Sequence, residues 1–167
     1  MDDVLAVLDR EARALEHLLF RLQHARGVLV SADDRFIGMA ADELEVAAET
    51  VRELEACRAA VLDAVAGPTT LRALAVGAGE PHSTLLREHR AELGRLAVEV
   101  GALLESTQEL ATDRLAELNG ARPRYRRPRR RRSLGDDLDR AVAAAGYESV
   151  LAASSSLRLP ALVSFLR

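Results

Sequence analysis

Residues 3–30 read DVLAVLDREARALEHLLFRLQHARGVLV. Leucine recurs every seven residues, at Leu8, Leu15, Leu22 and Leu29, and Val4, Leu18 and Ala25 fill the intervening half-step. This is a heptad seam with apolar residues at its two core positions. Asp9, Arg10, Arg13, Glu16 and Gln23 fall off the stripe. The spacing predicts a helix over about 3–30 with one leucine-lined face.

Working outward, VSADD at 30–34 supplies serine and aspartate. Their side-chain oxygens favour turns and helix N-caps. A second seam follows: Ile37, Leu44, Val51 and Val65, with Ala40, Ala47, Leu54 and Val61 between them and Arg58 as its one charged member. It predicts a helix over about 33–66, stopped by Gly67-Pro68. Thr69 or Thr70 caps a short helical turn, TLRALA, and VGAGEPH forms a loop. Ser83 or Thr84 then caps a third helix with a seam of Leu86, Leu93, Leu96, Val100, Leu103, Leu110 and Leu118, ended by Asn119-Gly120. At 1.5 Å per residue its roughly 35 residues make a rod of about 50 Å. The expected architecture is all-α, an elongated antiparallel three-helix bundle of coiled-coil type. The same seams suit a homodimer, so monomer and homodimer both stay open.

Composition agrees with that reading. The chain has 167 residues, 49% apolar but only 3% aromatic, with no tryptophan, so its core must be leucine-lined. A single cysteine, Cys57, forms no internal disulfide and points to a reducing compartment. The N-terminus lacks the basic and short apolar regions of a signal peptide. No uninterrupted apolar run reaches the roughly 20 residues of a membrane span. A cytoplasmic protein without membrane insertion is expected.

Beyond residue 120 the pattern breaks, which divides the chain into a helical domain at 1–120, a basic linker at 121–135 and a tail at 136–167. The linker holds eight arginines and no acid, whereas the remainder carries 15 arginines against 26 acids. Eight arginines within 122–132 suit phosphates, and Tyr125 suits a base. An acidic body with a basic strap is nevertheless unlike a uniformly basic nucleic-acid binder. The arginine run is too polar and proline-interrupted to bury a core, which predicts an extended or disordered segment. DDLDRAVAAAG at 136–146 predicts a short helix, SSS at 154–156 a flexible joint, and Pro160 the start of a last short helix. Leu162, Phe165 and Leu166 would share one face of it, for docking on the chain's own body or on a partner.

No catalytic constellation is visible, and neither a metal nor a cofactor site is expected. His17 and His24 are seven apart, as are His82 and His89, where a helical metal pair needs three or four. Cys57 has no histidine partner in its neighbourhood and reads as a small filler. VGAGEP lacks the lysine and upstream strand of a phosphate loop. The acids flank helix cores. A non-enzymatic protein is expected.

The order of segments resembles the FlgN-type flagellar export chaperones. A turn of the pattern R.aLv..D is similar to Arg26, Leu29, Val30 and Asp33. A second helix ending l..le..R..ll is similar to Leu54, Glu55, Arg58, Val61 and Leu62. Thr70, Leu71 and Leu74 match the short segment that follows, and Leu93, Leu96, Glu99, Val100 and Leu103 the last helix. The resemblance spans roughly 5–118. It departs in the middle of the last helix, where GALLESTQEL replaces a stretch that often carries asparagines. It implies a chaperone that grips a helical segment of hook-associated (hook–filament junction) proteins and delivers them to the export gate. The third helix outlasts the first by about two turns. Leu103, Leu104, Leu110, Leu115 and Leu118 are therefore candidate client-binding residues, with bundle core or homodimer seam as their other reading. The alternatives in function are a self-associating structural or regulatory helical protein, and a nucleic-acid binder acting through the arginine tail.

Overall fold

A computed structural model describes residues 1–31, 33–120, 134–157 and 160–166. Its elements are α1 (Asp2–Ser31), a 3-10 turn (Asp34–Phe36), α2 (Ile37–Ala66), α3 (Leu71–Gly77), α4 (His82–Gly120), α5 (Leu134–Ser156) and α6 (Pro160–Leu166). The fold is all-α, with no strand among the described residues.

The leucine stripe of α1 is the centre of the core. Leu8, Leu15, Leu18, Leu22 and Leu29 are all fully buried. Each removes enough apolar surface from water to contribute about 1.5–3 kcal/mol. The short connection after Ser31 turns α2 back along α1, and Arg21 Nη1 of α1 meets Glu43 Oε2 of α2 at 2.8 Å. α2 buries Ile37, Ala41, Leu44, Ala48 and Val51, then Arg58 and Leu62. Val65, assigned to the seam by its heptad spacing, is instead 48% exposed. Gly67 ends α2 at φ 67° and ψ −165°, a conformation essentially restricted to glycine.

Thr70 caps α3, its side chain accepting from Ala73 N at 3.2 Å. The expected cap of α4 differs. Ser83 is already inside the helix and donates to Ala75 O at 2.9 Å, and the Glu80 carboxylate accepts from Thr84 N at 3.3 Å. α4 runs parallel to α1: His82 lies 3.4 Å from Asp2 at one end, and Arg114 donates to Leu29 O at 3.1 Å at the other.

Three long helices and a tail were expected; the structure has a fourth long helix. Residues 134–156 form one continuous helix that occupies the side of the bundle between α2 and α4. The neighbours are α1–α2, α1–α4, α2–α5 and α4–α5, so α1 and α5 stand diagonally opposite. Ser154 to Ser156, expected as a joint, are the last turn of α5, and Ser154 is buried. α6 starts at Pro160, where a proline loses no helical hydrogen bond. The arginine run 122–132 lies outside the described residues.

The segment Asp34–Gly77 has a mean hydropathy of 1.3 over its most apolar 18 residues, enough by length and composition to cross a bilayer. Gly67 and Pro68 break it into α2 and α3.

Leu22→Ala is expected to cost about 3 kcal/mol, because it opens a cavity on the fully buried stripe. Val65→Ala is expected to stay within about 0.5 kcal/mol. Urea titrations with an unchanged slope read both. Equal losses at the two positions would contradict this account of the core.

Candidate functional site

Of the leucines nominated on the last helix, Leu104 borders α5 beside Ser154 and Leu157, Leu110, Leu115 and Leu118 flank the cluster that α5 enters, and Leu103 lies toward Leu19 and Gln23 of α1. Ala143, Tyr147 and Val150 of α5 are buried against Leu29, Ile37, Ala41 and Ala111. Leu110, Leu115 and Leu118 flank this cluster half-buried. Leu104 is buried and Leu103 half-buried in the neighbouring core, which Ala153 and Leu157 also enter. The buried line along the second half of α4 passes through Leu104, Thr107 and Ala111 rather than through Leu103, Leu110 and Leu118. Thr107 loses little by its burial, since its hydroxyl donates to Leu103 O at 2.7 Å.

Small residues let the two helices approach. A Cβ on Gly146 would collide with Ile37 Cγ2 and lie 3.3 Å from the Gly38 amide nitrogen. One polar contact pins the register: the Tyr147 hydroxyl donates to Asp34 Oδ1 in the 3-10 turn. Burial and then the Asp34 carboxylate push the Tyr147 phenol up to about 12, so it remains a donor throughout the neutral range. Arg114 closes the end of the groove. Its guanidinium reaches Leu29 O and Val30 O, at 3.1 and 3.4 Å, where α1 leaves carbonyls unpaired.

At the opposite end, α6 covers a charged cluster. Glu11 of α1 is fully buried and Arg58 of α2 is 4% exposed. Arg58 Nε donates to Glu11 Oε1 at 3.1 Å; Glu11 Oε2 lies 2.8 Å from the same nitrogen without a hydrogen bond of its own. The Phe165 ring stacks over the guanidinium, 4.2 Å from centroid to Cζ. The Glu55 carboxylate accepts from the Leu162 amide, and Arg90 Nε donates to Leu166 O at 2.6 Å. Leu162, Phe165 and Leu166 are thus seated on the chain's own body, in the main core. A cleft of about 550 Å³ beside them is lined by Glu55, Arg58, Leu62, Asp63, Thr70 and Phe165, among others.

Burial raises the Glu11 carboxyl to about 7; Arg58 opposes the shift and Glu55 adds to it. Burial also raises Glu55, against Arg58 and the Leu162 amide. Both carboxyls therefore bind a proton more readily in the fold than in the unfolded chain.

The chemistry elsewhere is sparse. Cys57 is exposed. His17 accepts from Arg21 at 3.2 Å, and His24 lies 3.3 Å from Glu43. Among the described residues no group of three or more His, Cys, Asp or Glu is placed to hold a metal ion. Sequence reasoning missed Glu11, Tyr147, Asp34 and Arg114. Glu11 had a signal, because it fills the gap in the line Val4, Leu18, Ala25.

Glu11 makes a signed prediction. Its folded carboxyl titrates near 7 against 4.5 for the ordinary group. Its stabilisation is complete below the unfolded value and lost as pH rises through the folded one. Between pH 4.5 and 7 this amounts to roughly 3 kcal/mol. Glu11→Gln removes that loss and leaves the other groups unchanged. Urea melts at pH 4.5 and pH 8 should show wild type losing about 3 kcal/mol more than the variant. Parallel pH profiles would contradict the burial of this acid.

Comparison of the chain with protein-family models, with curated proteins and with solved structures gave no match.

Proposed function

We propose that this protein is a cytoplasmic export chaperone of the FlgN type, which holds hook-associated flagellar proteins and hands them to the export apparatus. The observation that carries this reading is the groove of α4 and α2, which takes up the helix α5 in a cluster flanked by Leu110, Leu115 and Leu118. A client helix would lay its apolar face on Leu110, Leu115 and Leu118 and shield that face from water until export. The order of α1, turn, α2, α3 and α4 supports the same reading, because the motifs of the resemblance fall on these elements in sequence.

Such a protein needs no cofactor and performs no covalent step. Binding energy comes from buried apolar area, and release needs only a site that binds the client's helix elsewhere.

The test is a nuclease-treated pull-down of the full chain from its native host at about 150 mM salt, where screening limits purely electrostatic capture by the arginine run. Mass spectrometry should identify a hook-associated subunit near one-to-one. Leu115→Arg with Leu118→Arg should cut its recovery by at least about tenfold while circular dichroism stays helical, as expected when charges enter an apolar binding face. Recovery of the chain alone, from a host expressing its flagellar genes, would sink the proposal.

A further inference from the structure

The four sides of the bundle are not equally held. α1 fills its side with five fully buried leucines. α5 fills its own with Ala143, Gly146, Tyr147, Val150 and Ala153, ending in Leu157. The small residues remove much less apolar surface from water. Toward its start, Leu138 is 64% and Val142 61% exposed. The Ser154 hydroxyl is buried without a hydrogen-bond partner, which weakens the seat further.

Charge adds a second mismatch. Residues 134–157 hold Asp136, Asp137, Asp139 and Glu148 against Arg140 alone. The receiving helices are acidic too: α4 carries Glu105, Glu109, Asp113 and Glu117 against Arg114 over 102–120. Glu105 borders the cleft that Ser154, Ser155 and Leu157 share with α4. Glu117 acts on the Tyr147 phenol. Exposed acids thus run along both α4 and α5, with Glu105 at the rim between them.

We infer that α5 is a built-in, exchangeable stand-in for a partner helix, and that the partner is an amphipathic helix with basic flanks and small residues on its buried stripe. Such a helix matches the close approach at Gly38 and complements the exposed acids at the α4 rim, such as Glu105. The inference rests on the chaperone reading only for the natural source of that helix. Local opening of α5, whose buried stripe is mostly small residues, gives the partner access while α1, α2 and α4 stay together.

The experiment uses the full chain and two fluorescein-labelled peptides. One carries the sequence of residues 134–157; the other is the same peptide with D139R and E148R. Hydrogen exchange of the wild-type chain should find amides of 143–153 exchanging at least about 100-fold faster than those of 8–22. Gly146→Leu, which drives a side chain into Ile37, should dislodge α5 in place. Its chain should bind the basic peptide at least about tenfold more tightly than the wild-type chain does, and more tightly than it binds the native-sequence peptide, with the peptide difference shrinking as salt rises. Exchange of α5 in step with α1 would overturn the inference, whatever the fate of the variant. Equal affinity of the two peptides would overturn the basic partner, and a stable wild-type dimer would make a second copy the occupant. None of these readouts involves a flagellar client, so they stand or fall apart from the pull-down.

Discussion

The pair Glu11–Arg58 fixes how the helices of this bundle stand against one another. Each of the first two seams is apolar except for one charged member, Glu11 in α1 and Arg58 in α2. Leucine seams alone permit sliding by a heptad, because every layer looks like the next. A buried charge does not, since a slip would leave both ions in the core without a counter-charge, a cost of several kcal/mol. Folding α2 back over the short turn brings the two charges level. α6 then depends on the same place, because Phe165 stacks over the guanidinium and Glu55 holds the Leu162 amide. Burial raises Glu11 to about 7 despite Arg58, so the register device costs stability at high pH while it specifies the alignment.

How much of this was legible follows from which residues carry the pattern. α1 could be read because leucine recurs every seven residues along its stripe, from Leu8 to Leu29. The buried line of α4 could be read only for its first half. Leu86 and Leu104 are eighteen residues apart, as are Leu93 and Ala111. Eighteen residues are five full turns of a straight helix, whereas a strict heptad drifts by about 20° per repeat. Extending the heptads through Leu103 and Leu110 therefore walked off the buried face onto its flank, whereas Leu118, eighteen residues after Val100, returns to it half-buried. α5 was legible only as a short helix over 136–146, for a different reason. Alanine, glycine and serine make a buried stripe without a hydrophobic period, and a run of three serines has the composition of a turn. Packing against α2 and α4 overrode that local preference.

The core is thus built in two grades. Where α1, α2 and α4 meet, leucine supplies area, and area is what resists opening. Where α5 meets α2 and α4, small residues supply fit: Gly146 stands against Ile37 and Gly38 with no room for a Cβ. Fit without area positions a helix well and holds it weakly. The polar pin from Tyr147 to Asp34 suits that division, because it fixes register through one directional bond with an acceptor in a surface turn. Water can take over both halves of that bond when the helix lifts. A buried ion pair such as Glu11–Arg58 has no such exit, and it sits in the part of the fold that the leucines keep closed.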